Sequence, residues 1–278
     1  MEIPFERWHE AILRRRSRRL YEARPLPEEI LGSLTAFCTE FHPFETARAV
    51  IATNTEMVFR GIVGAYGKIR GAPSFIAFIG DTRDPHIQEK TGYTGEGIVL
   101  EATARGLGTC WVGKSFDQET ASAVVEIEKH ERILAVTPVG HVPQERSFEE
   151  RLLTGFGRTH KRKPLHDLVS GMPEHAWPEW VRLSLLSART APSAVNRQPW
   201  RFLVEPGSIT ISVDDLRDSY GISKRLDCGI AMLHIEVAAL LGGFRGHWEF
   251  LDAPRVARFT VSARHAKEPG QSARHTAK

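Results

Sequence analysis

The sequence predicts an α+β protein built from two related halves. Apolar segments with helical periodicity recur along the chain, and short apolar runs rich in β-branched and aromatic residues lie between them. The helical stretch GIVLEATARGLG (97–108) resembles AMLHIEVAALLGG (231–243), and each of the two ends in glycines. This internal echo favours a duplicated α+β unit.

Periodicity also places the individual elements. In the first part of the chain we predict helices over 5–13, 30–41, 97–107 and from Asp117, as N-cap, to about Lys129, with strands over 47–52, 74–80 and 132–140. In the second part we predict helices around 181–186 and over 230–241, with strands over 201–204 and 209–213.

Composition shifts along the chain suggest the domain boundaries. We expect a first half over 1–150 and a second half over 177–262. The polar and basic sequence between them predicts a connector over 151–176. The final residues, 263–278, are small, polar and charged, which predicts a disordered tail.

Bulk composition narrows the class of protein. The chain has 278 residues, of which 41% are hydrophobic and 26% charged, and its net charge is only +3. No apolar run is long enough to span a bilayer, and no signal-peptide core is present. The three cysteines form neither a metal-ligand spacing nor a disulfide framework. We therefore expect a cytoplasmic protein without a metal, a membrane partner or a nucleic-acid partner.

Five arginines stand within the run RRRSRR (14–19). Such a run is compatible with a nuclear address, a nucleic-acid arm or a pocket for one anionic ligand. The rest of the chain is nearly neutral, which weakens the nucleic-acid interpretation.

A second informative stretch is the loop APSAVNRQPWRF (191–202). Two prolines and small polar side chains predict a rigid loop between a helix and a strand. It either offers backbone N–H groups and side chains to a flat polar ligand or serves as a plain connector with local capping bonds.

Together, RRSRRLY (15–21), GLGTCWVG (106–113), KRKPL (161–165) and the loop at 191–202 resemble the nitroreductase-like flavoprotein family. The resemblance extends over roughly residues 5–250. It implies mostly antiparallel sheets flanked by helices, and FMN as the cofactor.

The resemblance also implies which residues bind FMN. Arginine forks and a serine hydroxyl suit a phosphate dianion, and the family pattern assigns this role to Arg15, Arg16, Ser17, Arg19, Lys161 and Arg162, with Lys163 as an alternative to Lys161. The polar loop contributes Pro192, Ser193, Ala194, Asn196 and Gln198. Arg14 and Arg18 match no role.

Other positions lie along the flavin ring. The resemblance places Lys68 beside the pyrimidine, where a cation favours hydride acceptance, although a plain surface lysine is the alternative. It also implies that the segment of Cys110, Trp111, Val112 and Gly113 lies near the ring and contacts it mostly through backbone atoms. No base is readable beside Cys110, so we interpret it as a packing residue and assign no catalytic side chain.

The order of the motifs departs from the common family pattern. The PSxxN loop is expected soon after the arginines, but residues 39–46 read TEFHPFET, and the loop occurs in the second half instead. Ala194 also stands where a second serine is common. This arrangement resembles the internally duplicated branch, in which one chain mimics the family dimer. We therefore expect a monomer with one FMN.

The function that follows is an FMN-dependent oxidoreductase. NADH or NADPH, as a transient co-substrate, would reduce the flavin at N5, and a flat electron-poor acceptor such as a nitroaromatic or quinone would oxidise it. No GxGxxG fingerprint for a resident dinucleotide is present. Two alternatives stay open at this point: a flavin-binding carrier or sensor without turnover, and a nucleic-acid-binding protein.

Overall fold

A computed structural model describes residues 1–53, 58–59, 69–143 and 161–264 of the chain. Two β-sheets with flanking helices confirm the predicted α+β class. No helix in these ranges is long and apolar enough to cross a membrane.

The first sheet has four antiparallel strands in the order β1-β2-β4-β3. Its strands are β1 (Ala47–Ala52), β2 (Ser74–Asp81), β3 (Gly108–Thr109) and β4 (Glu131–Gly140). Strand β2 is buried at seven of its eight positions, because helices cover both of its faces.

The second sheet has five strands in the order β5-β6-β7-β9-β8. They are β5 (Val169–Gly171), β6 (Trp200–Glu205), β7 (Ser208–Val213), β8 (Phe244–Phe250) and β9 (Arg255–Arg264). Only the β5–β6 pair is parallel. Without β5, this sheet repeats the strand order of the first.

Six α-helices lie within the described ranges. They are α1 (Phe5–Arg14), α2 (Glu28–Glu40), α3 (Ile87–Ala104), α4 (Gln118–Val125), α5 (Glu179–Arg189) and α6 (Lys224–Leu241). Helix α3 follows β2 and precedes the edge strand β3, just as α6 follows β7 and precedes the edge strand β8. The two halves therefore share one topology.

Glycines let α3 and α6 cross with their backbones in contact. A Cβ atom on Gly92 would lie 2.1 Å from the carbonyl oxygen of Leu226, and one on Gly229 would lie 2.0 Å from that of Glu89. The contact is reciprocal, as at a two-fold dimer interface. One continuous core joins the halves around these helices.

Several element boundaries differ from those predicted. Asp117 caps α4 by accepting a hydrogen bond from the Thr120 N–H at 2.7 Å, as predicted, but this helix ends at Val125. Helix α3 begins ten residues before the predicted start at 97, because the polar first turns of the helix obscure its periodicity. Strand β5 lies inside the predicted connector, whose residues 151–160 fall outside the described ranges. Of the predicted tail, residues 265–278 also fall outside them.

Candidate functional site

The arginine motif continues from α1 as an extended segment beside strand β3. Helix α1 ends at Arg14, and Ser17 then forms a parallel bridge with Thr109. The Arg18 N–H donates to the Thr109 carbonyl at 2.8 Å, and the Arg19 carbonyl accepts from the Arg70 N–H at 2.9 Å. This pairing brings the RRS and GLGTCW motifs side by side.

Arg15 is the deepest cation of the motif. Its side chain is 8% exposed, and its Nη1 atom is buried without a hydrogen-bond partner in the part of the chain that the structure describes. Its Nε atom lies 4.0 Å from a carboxylate oxygen of Glu96 on α3. Burial lowers the pKa of Arg15, and the Glu96 carboxylate opposes that shift. A buried guanidinium nitrogen with no partner is costly unless an anion binds it.

Arg162, in the predicted connector between the halves, approaches the same place. Its Nη1 atom donates to Asn196 at 2.6 Å and its Nη2 atom donates to the Thr190 carbonyl at 2.8 Å. Burial and, to a smaller extent, the positive charges of Arg15, Arg16 and Arg189 lower the pKa of Arg162 to about 10. Arginines far apart in the sequence thus converge against their mutual repulsion.

The remaining predicted phosphate residues surround this pair less deeply. Arg16 is exposed, and its Nη1 atom donates to the carbonyls of Leu13 and Arg15 at 3.0 and 2.7 Å. Ser17 and Arg19 are half-buried, and Lys161 is exposed. Lys68 lies outside the described residues.

A strained turn shapes the polar loop of the second half. Val195, Asn196 and Gln198 have φ angles of 48°, 56° and 50°, in the left-handed region that side chains seldom adopt. The loop is held by Asp227 at the start of α6, which accepts from the Ala194 N–H at 3.1 Å and from Arg197 Nε at 2.6 Å. Burial raises the pKa of Asp227 to about 6, although its Arg197 partner opposes this shift.

The amides of the loop bind the basic segment that contains Arg162. Gln198 accepts from the Lys163 N–H at 2.8 Å and donates to the Lys161 carbonyl at 3.1 Å. Asn196 Nδ2 also donates to the Lys161 carbonyl, at 3.0 Å. Ser193 Oγ accepts from the Gln198 N–H at 3.0 Å. These side chains, predicted as ligand contacts, therefore hold the Arg162 segment in place. Pro192 is buried in the same loop.

The segment from Cys110 to Gly113 forms the floor between the two motifs. Val112 exchanges two backbone hydrogen bonds of 2.9 Å with Val136, and Cys110 is buried. The Trp111 indole points into the protein, where it stacks on Phe78 at 4.5 Å and donates to Glu96 at 2.7 Å. Trp111 therefore faces inward, and contact of the segment with a flavin through its backbone stays a prediction.

A loop of the second half reaches this floor. A Cβ atom on Gly113 would lie 2.9 Å from the Ile222 side chain. Arg197 fixes that loop by donating to the carbonyls of Ser219, Ile222 and Ser223 at 3.2, 3.0 and 2.8 Å. Both halves thus contribute to the floor as well as to the arginine cluster.

Sequence reasoning missed three charged residues of the site: Glu96, Asp227 and Arg189. Glu96 and Asp227 lie on buried helices, and Arg189 Nε donates to the Lys163 carbonyl at 2.7 Å. A lone carboxylate within a glycine-rich helical run, as in TGEGIVL, was a signal for a buried polar contact. Among the described residues, no group of histidines, cysteines and carboxylates is arranged to hold a metal.

Comparison with known proteins places the chain in a family. The family model described as "Putative TM nitroreductase" matches residues 8–239. A structure described as a putative nitroreductase from Thermotoga maritima aligns with 91% of this chain and 93% of its own, at 21% identity and a TM-score of 0.64, and so shares the fold.

Shorter nitroreductases also align. One with bound FMN from Bacteroides fragilis matches 51% of this chain and 91% of its own, at 17% identity and a TM-score of 0.42. Another with bound FMN, from Desulfitobacterium hafniense, matches 50% and 91%, at 16% identity and a TM-score of 0.42. No curated protein matches significantly. On the strength of the family match, which spans well over half of its length, the chain belongs to this nitroreductase family.

Proposed function

We propose that the chain binds one FMN between its halves and acts as an NAD(P)H-dependent oxidoreductase. One observation carries the proposal: Arg162 lies near enough to Arg15 for the Arg15 charge to lower its pKa, and the Arg15 Nη1 atom is buried with no hydrogen-bond partner among the described residues. Two cations that repel each other at a partly buried site are stabilised by a dianion such as a flavin phosphate. The FMN expected of this family supplies that dianion.

The residues present fit the cofactor at both of its ends. Arg15 and Arg162 would bind the phosphate, with Arg16, Ser17, Arg19 and Lys161 around them. The backbone of 110–113 and the loop at 192–198 would line the ring. Lys68 stays the predicted cation beside the pyrimidine.

When bound, FMN supplies the redox chemistry, accepting a hydride from NADH or NADPH and passing reducing equivalents to a flat electron-poor acceptor such as a nitroaromatic or quinone. The protein's part is to bind and orient. Asp227 and Ser193 hold the backbone of the loop at 192–198, and Glu96 holds the Trp111 indole, so both segments are fixed in place. We assign no side chain as a catalytic acid or base.

We further propose that one chain holds one FMN and needs no partner chain. Gly113 and Phe250 are the same number of residues apart as Gly92 and Gly229, so Phe250 is the counterpart of Gly113 in the second half. At this equivalent position Phe250 packs against His86 and Phe44, with ring centroids 5.4 Å apart in each pair. These aromatic contacts at the position equivalent to Gly113 support a single cofactor site per chain.

The test is the absorbance of the purified protein with added FMN. We expect a bound flavin spectrum that bleaches with NADH or NADPH under anaerobic conditions and returns with a quinone. Failure to take up FMN would contradict the proposal. Uptake without bleaching would identify a flavin-binding protein without turnover.

A further inference from the structure

Glu96 contacts residues from both predicted ends of the cofactor site. It lies on α3 and is fully buried. One carboxylate oxygen accepts from the Trp111 indole at 2.7 Å. The other lies 3.0 Å from His234 Nε2 and 4.0 Å from Arg15 Nε. One carboxylate therefore joins the deep arginine to the segment that lines the ring.

Each of these contacts restricts a side chain that would otherwise turn. A Cβ atom on Gly95 would lie 2.5 Å from the Trp111 ring, so the indole lies flat against α3 at Gly95 with its N–H directed at Glu96. Arg15 has its Nε side toward Glu96, while its Nη1 atom has no partner among the residues that the structure describes. The carboxylate therefore contacts the Nε side of Arg15 and not its Nη1 atom.

The contact between Glu96 and His234 contains one shared proton. His234 Nδ1 lies 3.1 Å from the Ser187 carbonyl oxygen, which can only accept, so Nδ1 carries a hydrogen. The 3.0 Å contact between Nε2 and Glu96 then needs a second hydrogen, on one atom or the other. In either arrangement the pair has no net charge.

We propose that Glu96, held by His234 of the second half, is a positioning residue that orients Arg15 toward the cofactor phosphate. This inference rests on the proposed function. Because the Glu96–His234 pair is neutral, its repulsion of a phosphate dianion is small. Replacing Glu96 with glutamine also keeps the pair neutral, since His234 then needs only its Nδ1 proton. The substitution therefore removes the carboxylate that faces Arg15 without changing the net charge of the site.

The chain offers a matched control. Glu236 on α6 accepts from the Trp248 indole and from the Tyr93 hydroxyl of the other half, both at 2.7 Å. Trp248 stands at the same spacing from Trp111 as Gly229 from Gly92. Glu236→Gln thus alters another buried carboxylate that binds a tryptophan indole and a residue of the other half, and that has no arginine partner among the described residues.

The experiment measures the dissociation constants of FMN and of riboflavin, which lacks the phosphate, by quenching of flavin fluorescence. We expect Glu96→Gln to lower the preference for FMN over riboflavin about tenfold, as expected for one misdirected charge-assisted hydrogen bond. Glu236→Gln is expected to keep the wild-type preference. In the Arg15→Ala background, Glu96→Gln is expected to have no further effect.

Failure of the inference and failure of the proposed function are distinguishable. If the wild-type chain does not prefer FMN, the proposed function fails and this inference fails with it. If the wild type prefers FMN and Glu96→Gln keeps or raises that preference, the inference alone is overturned. Should Glu96→Gln not fold, Glu96→Asp, which withdraws the carboxylate from Arg15, is expected to lower the preference in the same way, and an unchanged preference would contradict the proposal.

Discussion

Gly92 and Gly229 lie where α3 and α6 cross, and each faces a backbone carbonyl of the opposite helix at a distance that leaves no room for a Cβ atom. This crossing joins the half that carries the arginine motif to the half that carries the polar loop. The candidate site therefore depends on how closely two central helices of one chain approach each other.

Gly229→Ala is the direct test of that approach. A Cβ atom there would lie 2.0 Å from the Glu89 carbonyl oxygen, and neither backbone can move without moving its helix. We expect the free energy of unfolding to fall by at least about 2 kcal/mol, measured by urea denaturation. Gly32→Ala is the control, because Gly32 lies within α2 with open space around it, and we expect it to stabilise by about 0.5–1 kcal/mol. Equal effects of the two substitutions would contradict the close crossing.

We expect the length of the Gln198 side chain to matter, because its amide bonds two backbone groups of the Arg162 segment. Gln198→Asn keeps an amide and tolerates the left-handed φ of 50°, but it is too short to bind the Lys163 N–H and the Lys161 carbonyl together. We expect a loss of about 1–3 kcal/mol in stability and weaker FMN binding, because the Arg162 segment is released. Gln118→Asn, which shortens an amide bonded to the Ile133 carbonyl at 3.2 Å, is the control and is expected to keep FMN affinity.

Asp227 predicts a pH dependence of stability. Burial raises its pKa to about 6 in the folded protein, above the unfolded value near 3.9. Between these values the folded state binds more protons, so this group's contribution to stability is full below pH 4 and is lost as the pH rises through about 6. Asp227→Asn should lack this slope, which amounts to about 1.4 kcal/mol for each unit of pKa shift. The measurement is the free energy of unfolding of the wild type and of Asp227→Asn from pH 4 to 8. A difference between them that stays constant over this range would refute the assignment.

Gly113→Phe copies into the candidate site the residue that stands at the equivalent position in the other half. The added ring would meet Ile222 and cover the floor formed by residues 110–113. We expect FMN and riboflavin to lose affinity equally, by more than about tenfold, because the ring end is blocked and the phosphate end is not. A selective loss of FMN would place the floor at the wrong end of the cofactor.

Much of the fold could be predicted because local sequence patterns indicate individual helices and strands. Asp117 predicts the start of α4, and the apolar run at 74–80 predicts β2. The structure contains both features. Strand β8, whose sequence is FRGHWEF, was not predicted. Its positions alternate between half-buried and exposed, and it contains a glycine and charged residues, so it lacks a continuous apolar run. Strand β5 is three residues long and exists only through its pairing with β6.

The sequence predicted the motifs of the site but not the side-chain contacts between them. Asn196 of the polar loop binds Arg162, which lies near the arginine run. The joint role of the two motifs in binding FMN stays a prediction. What the sequence could not show is that Gln198 and Asn196 hold the Arg162 segment, or that Glu96 lies beneath Arg15. Those contacts depend on side chains far apart in sequence, and no local pattern encodes them.

The most direct measurement of the central claim is the binding of FMN and riboflavin to Arg162→Ala, with Arg14→Ala as the control. Arg14 belongs to the same arginine run but is exposed and lies 3.8 Å from Glu10. We predict that the wild type and Arg14→Ala prefer FMN to riboflavin by about a hundredfold, and that Arg162→Ala reduces this preference at least about tenfold with riboflavin affinity unchanged. An undiminished FMN preference in Arg162→Ala would contradict a phosphate site shared between the two halves.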